Sequence, residues 1–312
     1  MILIKKAVSL LLTLLLVSFT VFMAFQIIPG DSVIASLGTE ATPQQIAAMR
    51  EELGLNKPLL SRYGEWFAGF ITGNLGTSYS YHLPVSEIIS DKLPVTLILS
   101  GLAFVLMLII SFPLGVILGQ HAGSIPDAIT TFLNQIIMSV PPFFIGILFS
   151  SIFGLSMRLF IPGKFVPLSE NPAAFWRYLF FPALAIALPK SAMTIKLLRS
   201  TILNETYKDY VRTAYSRGNR QQRAMRVHVL RNALIPVITF LMMTFSSIVA
   251  GSIIIEQIFV IPGIGRLLLV SISGRDFPVV QTVVMIIAFI VIIMNYLADL
   301  LCQVIDPRTR MN

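Results

Sequence analysis

Six apolar stretches dominate this chain, and each approaches the roughly 20 residues that an α-helix needs to cross a bilayer. They run from Ala7 to Ile28, Pro94 to Gly119, Ile129 to Met157, Tyr178 to Leu198, Ile235 to Ile258 and Pro278 to Val304. Backbone inside hydrocarbon must satisfy its own N–H and C=O groups, so runs of this length commit the chain to spanning helices. The composition agrees, with 55% apolar residues, 12% charged residues and a mean hydropathy of +0.82, against about 25% charged in ordinary soluble domains. The chain reads as an all-α integral membrane protein with six transmembrane helices. The first run follows Lys5 and Lys6 as a signal peptide would, but it is longer than a signal core and ends without an Ala-x-Ala cleavage site. It is expected to be retained as the first span, residues 1–28.

Charge then orients these spans. Between Arg199 and Arg231 stand eight cations, Arg199, Lys208, Arg212, Arg217, Arg220, Arg223, Arg226 and Arg231, facing Glu205 and Asp209, which leaves a local net charge of +6 out of a formal +8 for the whole chain. Arginine and lysine in short loops resist export, which places this loop in the cytoplasm. With the N-terminus inside, six crossings return the C-terminus to the same side, beside Arg308 and Arg310. The Arg158 to Arg177 loop, with three cations against Glu170, then falls outside and fits the rule poorly. A nucleic-acid partner is not indicated, because the positive charge sits beside apolar spans and lacks a nucleic-acid-binding framework.

Residues 29–93 are too long for a turn and carry a net charge of −3. Pro43 to Leu53 reads as a helix with Thr42 as its N-cap and Pro43 at its first position, and Leu59 to Phe70 as an amphipathic helix closed by Gly73-Asn74. This gives a small external helical insertion. Residues 94–312 form the five-helix core that carries the cytoplasmic loop at 199–234. Within that loop Tyr207, Tyr210, Val211 and Ala214 recur at helical spacing, and Gly218 supplies a break.

Polar groups and prolines inside the spans mark candidate conduit or gate positions: Gln135, Ser139, Pro141 and Pro142 in the third span, and Glu256 and Gln257 near the outer end of the fifth. Asn134, Asn295 and Asp299 share this intramembrane setting. For each, helix-to-helix hydrogen bonding is the plainer alternative. The single cysteine, Cys302, reads as a small buried residue. The chain lacks a phosphate loop, a His-x-x-x-His or Cys-x-x-Cys metal spacing, a Gly-x-Ser-x-Gly elbow and a His-Glu-x-x-His helix. No catalytic residue, bound cofactor or metal site is expected. A conduit without an engine needs an external drive, and two readings of the arginine loop stand at this point. It is a knob that docks in a separate cytoplasmic motor, or a topogenic loop that meets only lipid headgroups.

The motifs decide between them. The run Asp209-Tyr-Val-Arg-Thr-Ala-Tyr-Ser-Arg-Gly218, and after nine residues His228-Val-Leu-Arg-Asn-Ala-Leu-Ile-Pro236, resembles the cytoplasmic loop of ABC-importer permeases of the dipeptide, oligopeptide and nickel branch. The resemblance extends through Pro29-Gly-Asp31, Leu53-Gly-Leu-Asn-Lys-Pro-Leu59, Asn74-Leu-Gly-Thr-Ser78, Pro84-Val85, Leu93-Pro-Val-Thr96 and Ser139-Val-Pro-Pro142. It continues through Glu256-x-x-Phe259, Pro262-Gly-Ile-Gly-Arg266, Arg275-Asp-Phe-Pro-Val-Val-Gln281 and Asp306-Pro-Arg308. The general pattern opens with Glu-Ala-Ala, where this chain has Arg212-Thr213-Ala214, a substitution usual in the branch. Tyr215 and Asn219 depart from it further.

The resemblance implies a type I importer bundle in the cytoplasmic membrane of a prokaryote, paired with a second permease subunit. Two ABC ATPase subunits would bind ATP-Mg, and an extracytoplasmic substrate-binding protein would deliver cargo. It implies coupling to the ATPase through Asp209, Tyr210, Arg212, Thr213, Ala214, Arg217 and Gly218, with Arg231 and Asn232 in the return to the membrane. Pro262, Gly263 and Gly265 would be moving parts of an outer gate, and transport would proceed by alternating access. Peptide is the expected cargo, with a nickel chelate as the alternative. An ion-coupled secondary transporter is the reading from another class, and it would have only Glu256 and Asp299 for a carboxylate relay.

Overall fold

The computed structural model describes residues 2–27, 42–52 and 56–305. Pro29 to Asp31, Leu53 to Leu55, Asp306 to Arg308 and the terminal Arg310 lie outside them. The described chain is helical: α1 (Ile2–Ile27), α2 (Pro43–Glu52), α3 (Leu59–Thr72), α4 (Val85–Gln120), α5 (Ile125–Ser139), α6 (Pro142–Phe149), α7 (Pro172–Thr206), α8 (Asp209–Ser216), α9 (Gln221–Ala224), α10 (Leu230–Ile258), α11 (Ile264–Ser273) and α12 (Phe277–Ile305). π-Helical turns at Ser150–Ser156 and Met225–Val229 extend α6 and introduce α10.

Among the described residues, five helices are long and apolar enough to cross a membrane: Lys6–Gln26, Val85–Gln120, Pro172–Thr206, Gln222–Ile258 and Phe277–Cys302. The expected third span is instead a pair, Ile125–Ser139 and Pro142–Ser156, bent by 94°. The bend has a local cause. Pro141 and Pro142 lack the N–H groups that would continue α5, and Pro141 adopts an extended backbone (φ −61, ψ 143) that restarts the chain as the N-cap of α6.

The chain divides into two compact units, residues 1–96 with 262–292 and residues 97–261 with 293–312. In the second unit, packing fixes the sense of each helix. Ser191 donates to the Met107 carbonyl, Gly115 lies against Leu198, and Gly119 against Ile202. These pairs advance together, so α4 and α7 run parallel. Both glycines permit the approach, because an added Cβ would stand 2.8 Å from Leu198 Cδ2 or Ile202 Cγ2. Tyr178 meets the Phe259 carbonyl and Lys190 meets Ser247, so α10 runs antiparallel to α7. Ser246 with Asn295, and Thr239 with Cys302, make the end of α12 antiparallel to α10.

These directions settle the role of the bent pair. α5 starts at the arginine-rich end, where Asp127 grips Arg199. The π turn after α6 finishes at the opposite end, where Phe153 stacks on Phe181 at 4.8 Å and Gly154 abuts Pro162. The pair therefore traverses the unit from end to end as one broken span and does not turn back as a re-entrant loop.

In the first unit, α3 lies along α1. Tyr63 hydrogen-bonds Ser18 at 2.8 Å and sets its ring edge-on to Phe19 at 5.2 Å, while Trp66 approaches Phe22. Phe25 meets Phe277, and Phe70 meets Phe289. The capping predicted for α2 is present, with Thr42 and Gln45 exchanging side-chain-to-backbone bonds. Gly73 ends α3 in the left-handed region at φ +82.

Candidate functional site

The arginine-rich loop is a folded object. α8 carries its small apolar residues inward, with Val211 fully buried and Ala214 nearly so. Its end forms a Schellman cap: the Gly218 N–H donates to the Tyr215 carbonyl at 2.9 Å, and the Asn219 N–H donates to the Ala214 carbonyl at 3.2 Å. Gly218 takes φ +80, which an L side chain adopts only at a cost. Asn219 is not incidental at its position, because its side-chain amide adds a second bond to the Ala214 carbonyl at 3.1 Å.

Outward, the loop presents Tyr210, Arg212, Thr213, Tyr215, Ser216 and Arg217 to solvent. Asp209 and Arg212 form an open ion pair at 3.9 Å, weak at such exposure. The base is firmer. Glu205 accepts from Lys208 at 2.5 Å and from the Tyr210 hydroxyl at 2.6 Å. Burial pushes the Tyr210 phenol up from its ordinary range, the Glu205 carboxylate adds to this, and the Asn232 side chain partly offsets it. Asn232, on the first turn of α10, also donates to the His228 carbonyl at 3.1 Å. Tyr210 and Asn232 thus tie α8 to the start of the next span. Arg220, Arg223 and Arg226 line a shallow groove with Gln222 and Val227.

Two expectations are corrected here. Tyr207 does not share a helical face with Val211 and Ala214, because α7 ends at Thr206 and leaves Tyr207 as its largely exposed cap. Nor do the loop cations face only Glu205 and Asp209. Arg199 engages Asp127 of α5 through two parallel bonds, Nε to Oδ1 at 2.6 Å and Nη2 to Oδ2 at 2.7 Å. Asp127 is buried and also accepts from the Gly123 N–H at 2.9 Å. The Ser124-x-x-Asp127 spacing signals a helix start in the sequence, whereas the long-range partner has no local signature.

The conduit positions separate by environment. Gln135 and Ser139 are exposed on α5, and the Ser139 hydroxyl bonds back to the Gln135 carbonyl at 2.8 Å. Pro141 and Pro142 form the bend. Gln257 is exposed, but Glu256 is fully buried, where it accepts from Ser252 at 3.1 Å. In the first unit, Pro262 and Gly263 lead into α11, with Gly265 buried in its first turn. The Ile264 N–H donates to Thr96 Oγ1 at 2.9 Å. Asp276 was missed as an organising residue. Fully buried, it gathers Ser78 Oγ at 2.5 Å and the N–H groups of Tyr79 and Ser80 at 3.1 and 3.2 Å. Motifs far apart in the sequence, Leu93 to Thr96 with Pro262 to Arg266 and Asn74 to Ser78 with Arg275 to Gln281, therefore meet in space.

Known proteins match this arrangement along its length. Residues 111–311 match the family described as binding-protein-dependent transport system inner membrane component, and residues 1–100 match the N-terminal family of such components. A protein of Brucella abortus (strain 2308) named as a peptide transport system permease is 34% identical over 98% of both chains. The oligopeptide transport system permease protein AppB of Bacillus subtilis (strain 168) is 33% identical over 97% of this chain and 96% of its own. The nickel import system permease protein NikB of Staphylococcus aureus (strain bovine RF122 / ET3-1) is 31% identical over 98% of this chain and 90% of its own. Among solved structures, an amino acid ABC transporter crystallised with histidines shares the fold, with a TM-score of 0.53 and 18% identity over 72% of this chain and 94% of that one. The chain belongs to the binding-protein-dependent transport system inner membrane components, the permease subunits of ABC importers.

Proposed function

We propose that this permease conducts peptides inward by alternating access, and that Asp209 to Gly218 is the segment through which a separate ATPase moves it. The observation that carries the reading is the construction of α8: an inward face of Val211 and Ala214 and a Schellman cap hold it rigid, while tyrosine and arginine face out. Tyrosine and arginine are the residues that anchor protein contacts, and a rigid knob transmits displacement where a floppy loop absorbs it. Arg231 and Asn232 stand at the start of α10, where a push on α8 enters a spanning helix. The second permease, two ATPases holding ATP-Mg, and an external binding protein complete the proposed assembly. The arginine loop and both termini face the cytoplasm of a prokaryotic cell in this reading.

Cargo follows from the relatives' names, two of the three being peptide systems. A nickel chelate is the second reading, favoured by the similarity to NikB. The test of coupling is Gly218→Val. A β-branched residue at φ +80 distorts the cap by about 1–2 kcal/mol or more, with open space around it, so folding survives. Uptake in proteoliposomes is expected to fall at least tenfold while ATP hydrolysis persists. Normal uptake at normal expression would remove α8 from the coupling role.

A further inference from the structure

Lys190 is a cation at the middle of α7, between Tyr178 at one end and Arg199 at the other. At 1.5 Å per residue these lie roughly 18 Å and 13 Å away, so Lys190 sits near the midplane of a hydrocarbon core about 30 Å thick. Lysines near helix ends escape by reaching the interface, which this depth denies to Lys190. Among the described residues, its ammonium has one polar partner, Ser247 Oγ of α10 at 2.7 Å. The side chain is partly buried and partly open to solvent. Three donors with one acceptor leave capacity for an anion.

The surroundings continue this opening. Ser247 belongs to an exposed stripe of α10 that runs through Met243, Ala250, Ile254 and Gln257. Beside it, Gly251 has open space where a Cβ would be. The stripe is mixed, with Met243 and Ile254 large and apolar, but around Lys190 the small residues Ser247, Ala250 and Gly251 leave room for a polar solute. Pro189, next to Lys190, removes one bond of the α7 ladder at this level.

We infer that Lys190, with Ser247, is a carboxylate-recognition station midway along the conduit, and that it takes the C-terminal carboxylate of a passing peptide. The inference rests on the importer reading and specifies its substrate contact. A charge-assisted bond supplies a transient hold stronger than a neutral one, and Ser247 orients the ammonium toward the open face.

The test uses the assembled transporter in proteoliposomes, with trialanine and trialanine amide as cargo, and uptake scored per loaded binding protein. Lys190→Gln is expected to slow the free-carboxylate peptide about tenfold and leave the amide unchanged, with Lys190→Arg retaining the preference. Equal slowing of both peptides would assign Lys190 to packing or to a neighbouring chain and overturn the inference. So would unchanged uptake of both. If the unsubstituted transporter moves neither peptide, the peptide reading itself falls and takes this inference with it.

Discussion

The Asp127 and Arg199 pair shows how one residue can hold the base of a span. Asp127 caps the turn at Gly123, opens α5 and closes a two-bond fork on α7. Removing one member strands the other, which costs about 3 kcal/mol when the survivor is buried and somewhat less here because the Arg199 side chain is 27% exposed. Asp127→Ala should therefore lower the thermal midpoint in detergent clearly, and Asp127→Ala with Arg199→Met should recover much of the loss. Additive losses would show that the fork contributes little beyond two separate contacts. Tyr210 gives the corresponding pH argument. Its phenol is held above the usual value near 10, so its bond to Glu205 is complete below that pH and is lost as pH rises through the raised value. The base of α8 should keep its protection from hydrogen exchange unchanged between about pH 6 and 9, and a transition inside that window would contradict the assignment.

At the scale of elements, the spans and caps were legible because hydrophobic run length and cap chemistry are local. Thr42 with Gln45, Gly73 and Gly218 each do what their sequence neighbours predict. The third span was legible as apolar and, through Pro141-Pro142, as interrupted, but the size of its bend, 94°, is a matter of how α5 and α6 pack on α7, which no window of sequence contains. The same limit hid Asp276. Its motif stands out in the sequence, yet its partners Ser78, Tyr79 and Ser80 lie almost two hundred residues earlier. Lys190 gave a signal of its own, a charge inside an apolar run, whose meaning depends on the open face of a different helix. Asp276→Asn should loosen the Ser78 to Tyr81 segment, because an amide accepts through one oxygen where the carboxylate accepts through two. Exchange at the Tyr79 and Ser80 amides is expected to rise by about tenfold, with α8 unaffected; unchanged exchange would assign their protection to burial alone.

For the whole molecule, the helix directions and the positive charge make one joint claim. In the second unit, α4 and α7 finish, and α5 and α10 start, at the arginine-rich end. The opposite end carries Arg158, Lys164 and Arg177 with Glu170, a smaller surplus than the +6 of the loop. By the larger bias in short loops, the arginine-rich end is expected in the cytoplasm and the end with the weaker surplus outside. The prediction is testable with single cysteines in a Cys302→Ser background, since Cys302 is the one native thiol. Leu168→Cys lies in the segment before α7 and is exposed, whereas Ser216→Cys lies on the exposed side of α8. A membrane-impermeant thiol reagent added to intact cells, with the outer envelope made permeable where one is present, should label position 168 and spare position 216 until the cytoplasmic membrane is opened. The reverse pattern would invert the molecule and place α8 beyond the reach of any cytoplasmic ATPase. Labelling of both positions from one side would instead require α7, the one helix between them, not to cross the membrane, against its length and apolar character.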